Sequence, residues 1–132
     1  MRERAAGMHA FDPVLVVVDP TAEQQPAATK AAHIALRAGA RLHLLVCDYE
    51  PAFEPDMFFR DSDQMRALRT EFLAARHAEL DRLATSLRTI APVVDTTVRW
   101  GRPLHRCIFE VATELEPGLL VKDTHYHSAA RR

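Results

Sequence analysis

Five consecutive apolar residues near the N-terminus, residues 14–18, most strongly constrain what this chain can fold into. Four of them are valine, and such a β-branched run predicts a strand buried on both faces, as in the middle of a parallel sheet. The acidic turn Asp19-Pro20-Thr21 follows directly. Because ligands of open parallel sheets bind at the carboxyl ends of the strands, where the winding reverses, we expect a functional site at Asp19 and Thr21.

Helix and strand patterns alternate along the rest of the chain. Thr21 and Gln24 have capping-box spacing and predict a helix start, Pro26 fits a first helical turn, and Gly39 predicts the C-terminal cap. Apolar residues at steps of three and four predict a long helix that begins at Asp61 or Ser62 and ends before Pro92. The other predicted elements are a strand at 41–47, a loop at 48–60, a strand at 93–100, a helix from Pro103 and a strand at 118–122.

The resulting order, βαβαβαβ, predicts parallel strands joined by right-handed crossovers. Apolar residues alternate with Asp95, Thr97 and Arg99 in the third strand, and this alternation favours a position at the sheet edge. The predicted fold is therefore an α/β flavodoxin-like doubly wound sheet with strand order 3-2-1-4 and its switch point between the first and fourth strands.

Composition excludes several classes of partner and location. The chain has 132 residues, a net charge of -1 and only two lysines, Lys30 and Lys122, which argues against nucleic-acid binding. Its longest apolar run is far below the ~20 residues that span a bilayer. Residues 1–12 are expected to be a disordered leader without the apolar core of a secretory signal, so we expect a cytoplasmic protein. In that reducing compartment, Cys47 and Cys107 are predicted to be unpaired, buried thiols.

Catalytic patterns are missing from the sequence. It contains no G-x-S-x-G elbow, and no pair of carboxylates or activated cysteine stands out, which predicts a non-enzymatic protein. His125-x-His127 beside Asp123 could ligate a metal, but a polar turn is the favoured interpretation, and no metal is expected. A phosphorelay receiver would need an aspartate at the end of the third strand, where this chain has Arg99-Trp100.

Several segments together resemble the universal stress protein family. They are the strand 14–18 with Asp19, the helix end 38–42, the turn Gly101-Arg102-Pro103, and the last strand with Thr124-His125. The resemblance covers residues 13–132, which we expect to form one domain of the adenine-nucleotide α-hydrolase-like type. The N-terminal strand, the run 24–27 and the tail 121–127 are most similar to the first half of the E-type proteins, which carry two such domains in tandem.

The resemblance implies a nucleotide site, since many members bind ATP. Asp19 matches their acidic residue after the first strand, and Val46 is expected at the adenine position. Their phosphate loop begins with glycine, two residues and glycine, but here those positions are Asp123 and Tyr126. Only glycine lets backbone N–H groups approach phosphates closely, so we predict a degraded site and no cofactor. The vestigial site would comprise Asp19, Thr21, Val46, Asp123, Thr124, His125 and Ser128.

The resemblance also implies a fourth helix and a fifth strand that this sequence lacks. The domain is therefore expected to be C-terminally truncated or completed by a homodimer partner or a second universal stress domain, because an open strand edge favours pairing. The predicted function is stress response through protein or small-ligand contacts, with neither nucleic acid nor membrane as partner. The alternative is an ATP- or AMP-binding stress switch that uses Asp19 and the 123–128 loop.

Overall fold

A computed structural model of the chain describes residues 10–50 and 62–124. The predicted leader before Ala10, most of the predicted loop, and His125 and Ser128 lie outside these residues. Within the described residues, strands and helices alternate. Their bounds are β1 (Val14–Val17), α1 (Pro26–Ala38), β2 (Leu42–Asp48), α2 (Asp63–Leu87), β3 (Val94–Trp100), α3 (Leu104–Leu115) and β4 (Leu119–Lys122).

The described strands form a parallel sheet in the order β3-β2-β1-β4, which confirms the predicted topology. Val14 of β1 is in register with Leu42 of β2 on one side and Leu119 of β4 on the other. The alternating strand β3 lies at an edge, as its pattern predicts. The winding reverses between β1 and β4, so the carboxyl ends of these two strands flank the crevice where ligands of such sheets bind.

The larger core lies between the sheet and helices α1 and α2. Helix α1 faces the sheet with a stripe of fully or almost fully buried alanines, namely Ala27, Ala28, Ala31, Ala32 and Ala35. Side chains this small let the helix backbone approach β1 closely, where Val14 and Val16 are fully buried. The helix ends at Gly39, whose φ of 64° is left-handed, as predicted for the C-terminal cap.

The opposite face of the sheet has a smaller core beneath α3. Leu15, Val17 and Leu45 pack there against Val111 of the helix. Toward β3 this face becomes polar, and Arg99 is paired with Glu114 of α3 through two hydrogen bonds of 3.1 and 2.9 Å. The noncovalent contacts of this second layer are therefore a few apolar contacts and an exposed ion pair, which contributes little on its own.

The start of helix α1 differs from the sequence prediction, whereas α2 follows Ser62 as its N-cap, as predicted. Helix α1 begins at Pro26 with Gln25 as its N-cap, so the capping box predicted at Thr21 and Gln24 is wrong. Thr21 instead bonds to the side chain of Asp19. Helix α2 ends at Leu87, short of Pro92, and its fully buried side chains all lie in its C-terminal half.

The alanine stripe of α1 leaves no room for larger side chains. We expect Ala31→Leu to lower the free energy of unfolding by about 1–3 kcal/mol, because added methylenes force neighbouring side chains and backbone apart. Urea denaturation measures the change. The matched control is Lys30→Leu, an exposed position on the same helix, which should change stability by at most about 0.5 kcal/mol. Equal losses in both variants would contradict the close packing of this helix.

His43 is a half-buried titratable group on the α3 side of β2. A ring nitrogen lies 2.7 Å from Oγ1 of Thr97 on the neighbouring strand. Burial lowers the pKa of His43 and so does the positive charge of Arg41, while Asp95 opposes them; the net shift is downward. The folded domain therefore favours the neutral ring.

This pKa shift predicts a pH dependence of stability. The unfolded chain takes up a proton on His43 near the ordinary pKa of about 6.5, whereas the folded domain takes it up only at lower pH. Stability is therefore complete above that value and is lost as the pH falls through the lower folded pKa. His43→Gln should flatten the decline in unfolding free energy between pH 7.5 and 5.5, measured by urea denaturation, and His105→Gln at an exposed position should not. An unchanged slope in His43→Gln would contradict this assignment.

Candidate functional site at the carboxyl ends of the strands

Asp19 forms a compact turn directly after β1. Its Oδ1 accepts hydrogen bonds from the Thr21 backbone N–H at 2.9 Å and from the Thr21 hydroxyl at 2.7 Å. This is the local Asx-turn geometry that aspartate forms with a residue two positions later. The two residues predicted to mark the functional corner are thus in direct contact.

Gln25 connects this turn to the start of α1. Its side-chain Nε2 donates to the backbone carbonyl oxygens of Asp19 at 2.6 Å and Ala22 at 3.3 Å. Its Oε1 accepts from the Asp19 backbone N–H at 3.3 Å. The amide thereby satisfies both backbone polar groups of Asp19 where β1 leaves the sheet, and it fixes the path of the turn.

Two cavities lie on either side of Asp19. The first has a volume of about 190 Å³ and extends toward α2, with Val46 and Leu80 in its apolar wall. The second has a volume of about 280 Å³ and lies toward β4 and α3, with Thr21, Leu104 and Asp123 in its lining. Val18, Asp19 and Pro20 line both, so the acidic turn divides one crevice at the switch point of the sheet.

An ion-pair network closes the α2 side of the first cavity. Arg76 donates a hydrogen bond from its Nε to Asp48, the last residue of β2, and another from Nη1 to Glu79 at 2.9 Å. Burial lowers the pKa of Arg76, but its hydrogen bonds and the charges of Asp48 and Glu79 outweigh this, and the net shift is upward. The guanidinium is therefore charged and already neutralised by two carboxylates.

A family model for the universal stress proteins matches residues 10–132. The chain belongs to the universal stress protein family. Universal stress protein E of Photorhabdus laumondii subsp. laumondii is 29% identical over 121 residues, which are 91% of this chain. The chain spans only 38% of the length of that relative.

Solved structures of the family share the fold of this universal stress domain. Universal stress protein UspA from Lactobacillus plantarum superimposes with a TM-score of 0.64 at 25% identity, over 92% of this chain and 83% of that one. A universal stress protein in complex with cAMP gives a TM-score of 0.59 at 19% identity, over 91% and 79% of the two chains. These matches support the predicted four-stranded α/β arrangement, and the second structure shows that a universal stress protein can hold a cyclic nucleotide.

The structure brings together most of the described site residues predicted from the sequence. Asp19, Thr21 and Asp123 line one cavity, and Asp19 and Val46 line the other. Thr124 is exposed and outside both linings, while His125 and Ser128 lie beyond the described residues. Sequence reasoning missed Gln25 and Arg76, whose roles depend on contacts across the turn and between α2 and β2. Within 10–50 and 62–124, no cluster of three or more His, Cys, Asp or Glu residues could hold a metal ion.

The predicted unpaired state of the cysteines is wrong in the structure. Cys47 of β2 and Cys107 of α3 form a disulfide, with their Cα atoms 6.2 Å apart. The residues are 60 positions apart in the sequence, but α3 packs directly on the face of the sheet to which Cys47 points. Cys107 is almost fully buried at 3% exposure, and Cys47 lines the second cavity. No described helix is long and apolar enough to cross a membrane.

The disulfide should contribute measurably to stability. Cross-linking residues 60 positions apart restricts the unfolded chain by about 4 kcal/mol in the loop-closure model. We expect Cys47→Ala/Cys107→Ala to lower the free energy of unfolding by about 2–4 kcal/mol relative to the oxidised protein, measured by urea denaturation. A reducing agent should destabilise the unmodified protein but not the variant. An equal response of both proteins to the reductant would contradict a structural contribution of the disulfide.

Proposed function

We propose that this chain is a cytoplasmic, non-enzymatic stress-response domain that acts through contacts with a protein or a small ligand. In this proposal it corresponds to the first domain of an E-type universal stress protein. Its crevice is not adapted to a polyphosphate, and no cofactor is required. The observation that carries the proposal is the charge around Asp19.

Carboxylates outnumber basic groups among the described residues that line the crevice. The acidic residues are Asp19, Glu23, Glu79 and Asp123, and the basic residues are Arg76 and Lys122. Arg76 is neutralised by Asp48 and Glu79, which leaves Lys122 against Asp19 and Asp123 in the second cavity. A triphosphate would bring several negative charges into this field, where repulsion in a partly desolvated site is poorly screened.

Asp123 adds a second obstacle to phosphate binding. It directly follows β4 and lines the cavity beside Thr21, at the position where the resemblance implies the first glycine of a phosphate loop. Its carboxylate repels phosphate oxygens, and its Cβ limits the approach of the backbone N–H groups that would hold them. A neutral or cationic ligand is the better match for such a crevice.

The second candidate function is an adenine-nucleotide-dependent stress switch that binds ATP or AMP. It is favoured by the arrangement of the two cavities, since Asp19 lies between an apolar wall with Val46 and a polar region with Thr21. A ligand with one apolar and one polar part could occupy both. A structure of a related protein contains cAMP, which has a single phosphate. Nucleotides with one phosphate are therefore tested beside ATP.

The proposed partner is a second universal stress domain, either in a homodimer or in tandem. Among the described strands, β4 pairs only with β1 and lies at the sheet edge. Leu120 of β4 is 46% exposed. An edge with apolar side chains is suited to pairing or coverage by another domain.

Thermal unfolding with and without ligand distinguishes the two candidate functions. A ligand at 100 times its Kd stabilises the folded state by about 2.7 kcal/mol, which raises the Tm by roughly 8 °C or more in a domain of this size. We expect no such shift with millimolar Mg-ATP, because the crevice repels the triphosphate. Adenosine, AMP and cAMP are measured in parallel.

A matched variant makes this experiment specific to the crevice. Asp19→Asn removes the carboxylate charge but keeps the size of the side chain, whereas Asp95→Asn removes a charge on the distant edge strand β3. A Tm shift with ATP that Asp19→Asn abolishes and Asp95→Asn retains would overturn the proposal in favour of the nucleotide switch. The proposal is supported if ATP has no effect on the unmodified protein or on Asp95→Asn, and a gain of ATP binding in Asp19→Asn would agree with repulsion by this carboxylate.

A further inference from the structure

We propose that Cys47 and Cys107 form a thiol–disulfide exchange site that is attacked at Cys47 from the second cavity. The reactants are low-molecular-weight thiols and disulfides of the glutathione class. Exchange would connect the redox state of the surroundings to the position of α3 and to the shape of the crevice. This exchange reaction does not depend on which ligand the crevice binds.

The two cysteines differ in their exposure to solvent. Cys107 is 3% exposed and belongs to the buried face of α3. Cys47 is half-buried, and it lines the cavity of about 280 Å³ together with Thr21, Leu104 and Lys122. A small thiol can therefore enter the cavity and approach Cys47, whereas α3 covers Cys107. Because exchange depends on which sulfur is accessible, the structure favours attack at Cys47.

The helix position of Cys107 favours its departure as a thiolate, whereas its burial at 3% exposure opposes it. It is the fourth residue of α3, which begins at Leu104 with Pro103 as N-cap. The N-terminal turn of a helix carries partial positive charge, which stabilises an anion there, and a more stable leaving thiolate departs faster. Arg106 precedes Cys107 in the sequence and adds positive charge to this turn.

The exchange proceeds in two balanced steps. The thiolate of one small thiol attacks the Cys47 sulfur, a mixed disulfide forms, and the bond to Cys107 breaks with release of the Cys107 thiolate. A second small thiolate then attacks the sulfur of the bound small thiol and releases the Cys47 thiolate. The protein disulfide gains two electrons, two small thiols are oxidised to one small-molecule disulfide, and both protein thiolates can take up the protons that the small thiols lose.

Reduction would release the N-terminal half of α3 from the sheet. The buried residues of this helix are Cys107 and Val111, with Ile108 partly buried beside them, and its pairing with β3 through Arg99 and Glu114 lies toward its C-terminal end. Leu104, at the start of the helix, lines the cavity. Loss of the covalent link therefore loosens the segment that forms one wall of the crevice.

The physiological meaning of this chemistry rests on the cytoplasmic location proposed above. Disulfides in a reducing compartment are usually transient and often sense redox conditions. A disulfide beside the ligand crevice would allow a stress-response domain to respond directly to oxidation. The chemistry itself does not depend on that location and can be tested with the isolated protein.

The first test identifies the attacked sulfur in the unmodified chain. The oxidised protein is mixed with reduced glutathione, the reaction is stopped with acid at early times, and peptide mass spectrometry locates the mixed disulfide. We expect at least tenfold more glutathione on Cys47 than on Cys107. Equal amounts of glutathione on the two cysteines, or more glutathione on Cys107, would overturn the proposal. So would the finding that both cysteines are free thiols before glutathione is added.

Two single variants provide a matched comparison, because each lacks the disulfide. Cys107→Ser retains Cys47, and Cys47→Ser retains Cys107. We expect oxidised glutathione to modify Cys107→Ser at least tenfold faster than Cys47→Ser, with circular dichroism used to compare their folding. If either variant unfolds, mapping of the mixed disulfide in the unmodified chain alone decides the site of attack.

Hydrogen exchange tests the link to α3. In the unmodified protein, reduction should increase amide exchange in residues 104–111 at least tenfold more than in α1, on the opposite side of the sheet, where the increase reflects only the global loss of stability. Reoxidation with glutathione disulfide should restore the slow exchange. Unchanged exchange in 104–111 after complete reduction, or an equal increase throughout α1, would overturn the proposed local release.

Discussion

The burial of β1 on both faces is the constraint on which the rest of the structure depends. Val14, Leu15 and Val16 are completely buried, so helices must cover both sides of the sheet. On one side, the alanines of α1 let the helix backbone lie close to the strand. On the other, α3 covers only a small apolar cluster. The covalent link between Cys47 and Cys107 lies on this second side.

The central strand also determines where polar chemistry can lie. Its buried side chains cannot interact with solvent, but the backbone reaches solvent immediately after Val18, where Asp19 forms its turn with Thr21. Gln25 satisfies the backbone groups of Asp19 and joins the turn to α1. The same turn separates two cavities. An acidic corner is thus built from local hydrogen bonds at the switch point of the sheet.

Membership of the universal stress protein family accounts for the fold but not for the character of this crevice. A sheet of this type places strand ends around a ligand site whatever the residues there. In this chain the charged residues there are mostly acidic, and Arg76 is already paired with Asp48 and Glu79. A disulfide lies beside the cavity. Charge and redox chemistry, rather than topology, are therefore the features that would give this domain its own function.

The sequence alone determined the order of strands and helices, the central β1, the edge position of β3 and the position of Asp19 at the end of the central strand. These features follow from local patterns: a continuous apolar run, alternation with charged residues, and the end of a buried strand. Only the tertiary structure decided the start of α1, the pairing of Cys47 with Cys107 and the neutralisation of Arg76. At the start of α1, the Thr21 side chain could cap the helix or bond to Asp19, and the bond to Asp19 replaces the predicted cap. In the other two, the partners lie 60 and 28 positions apart along the chain, and no local pattern specifies which side chains meet when the helices pack on the sheet.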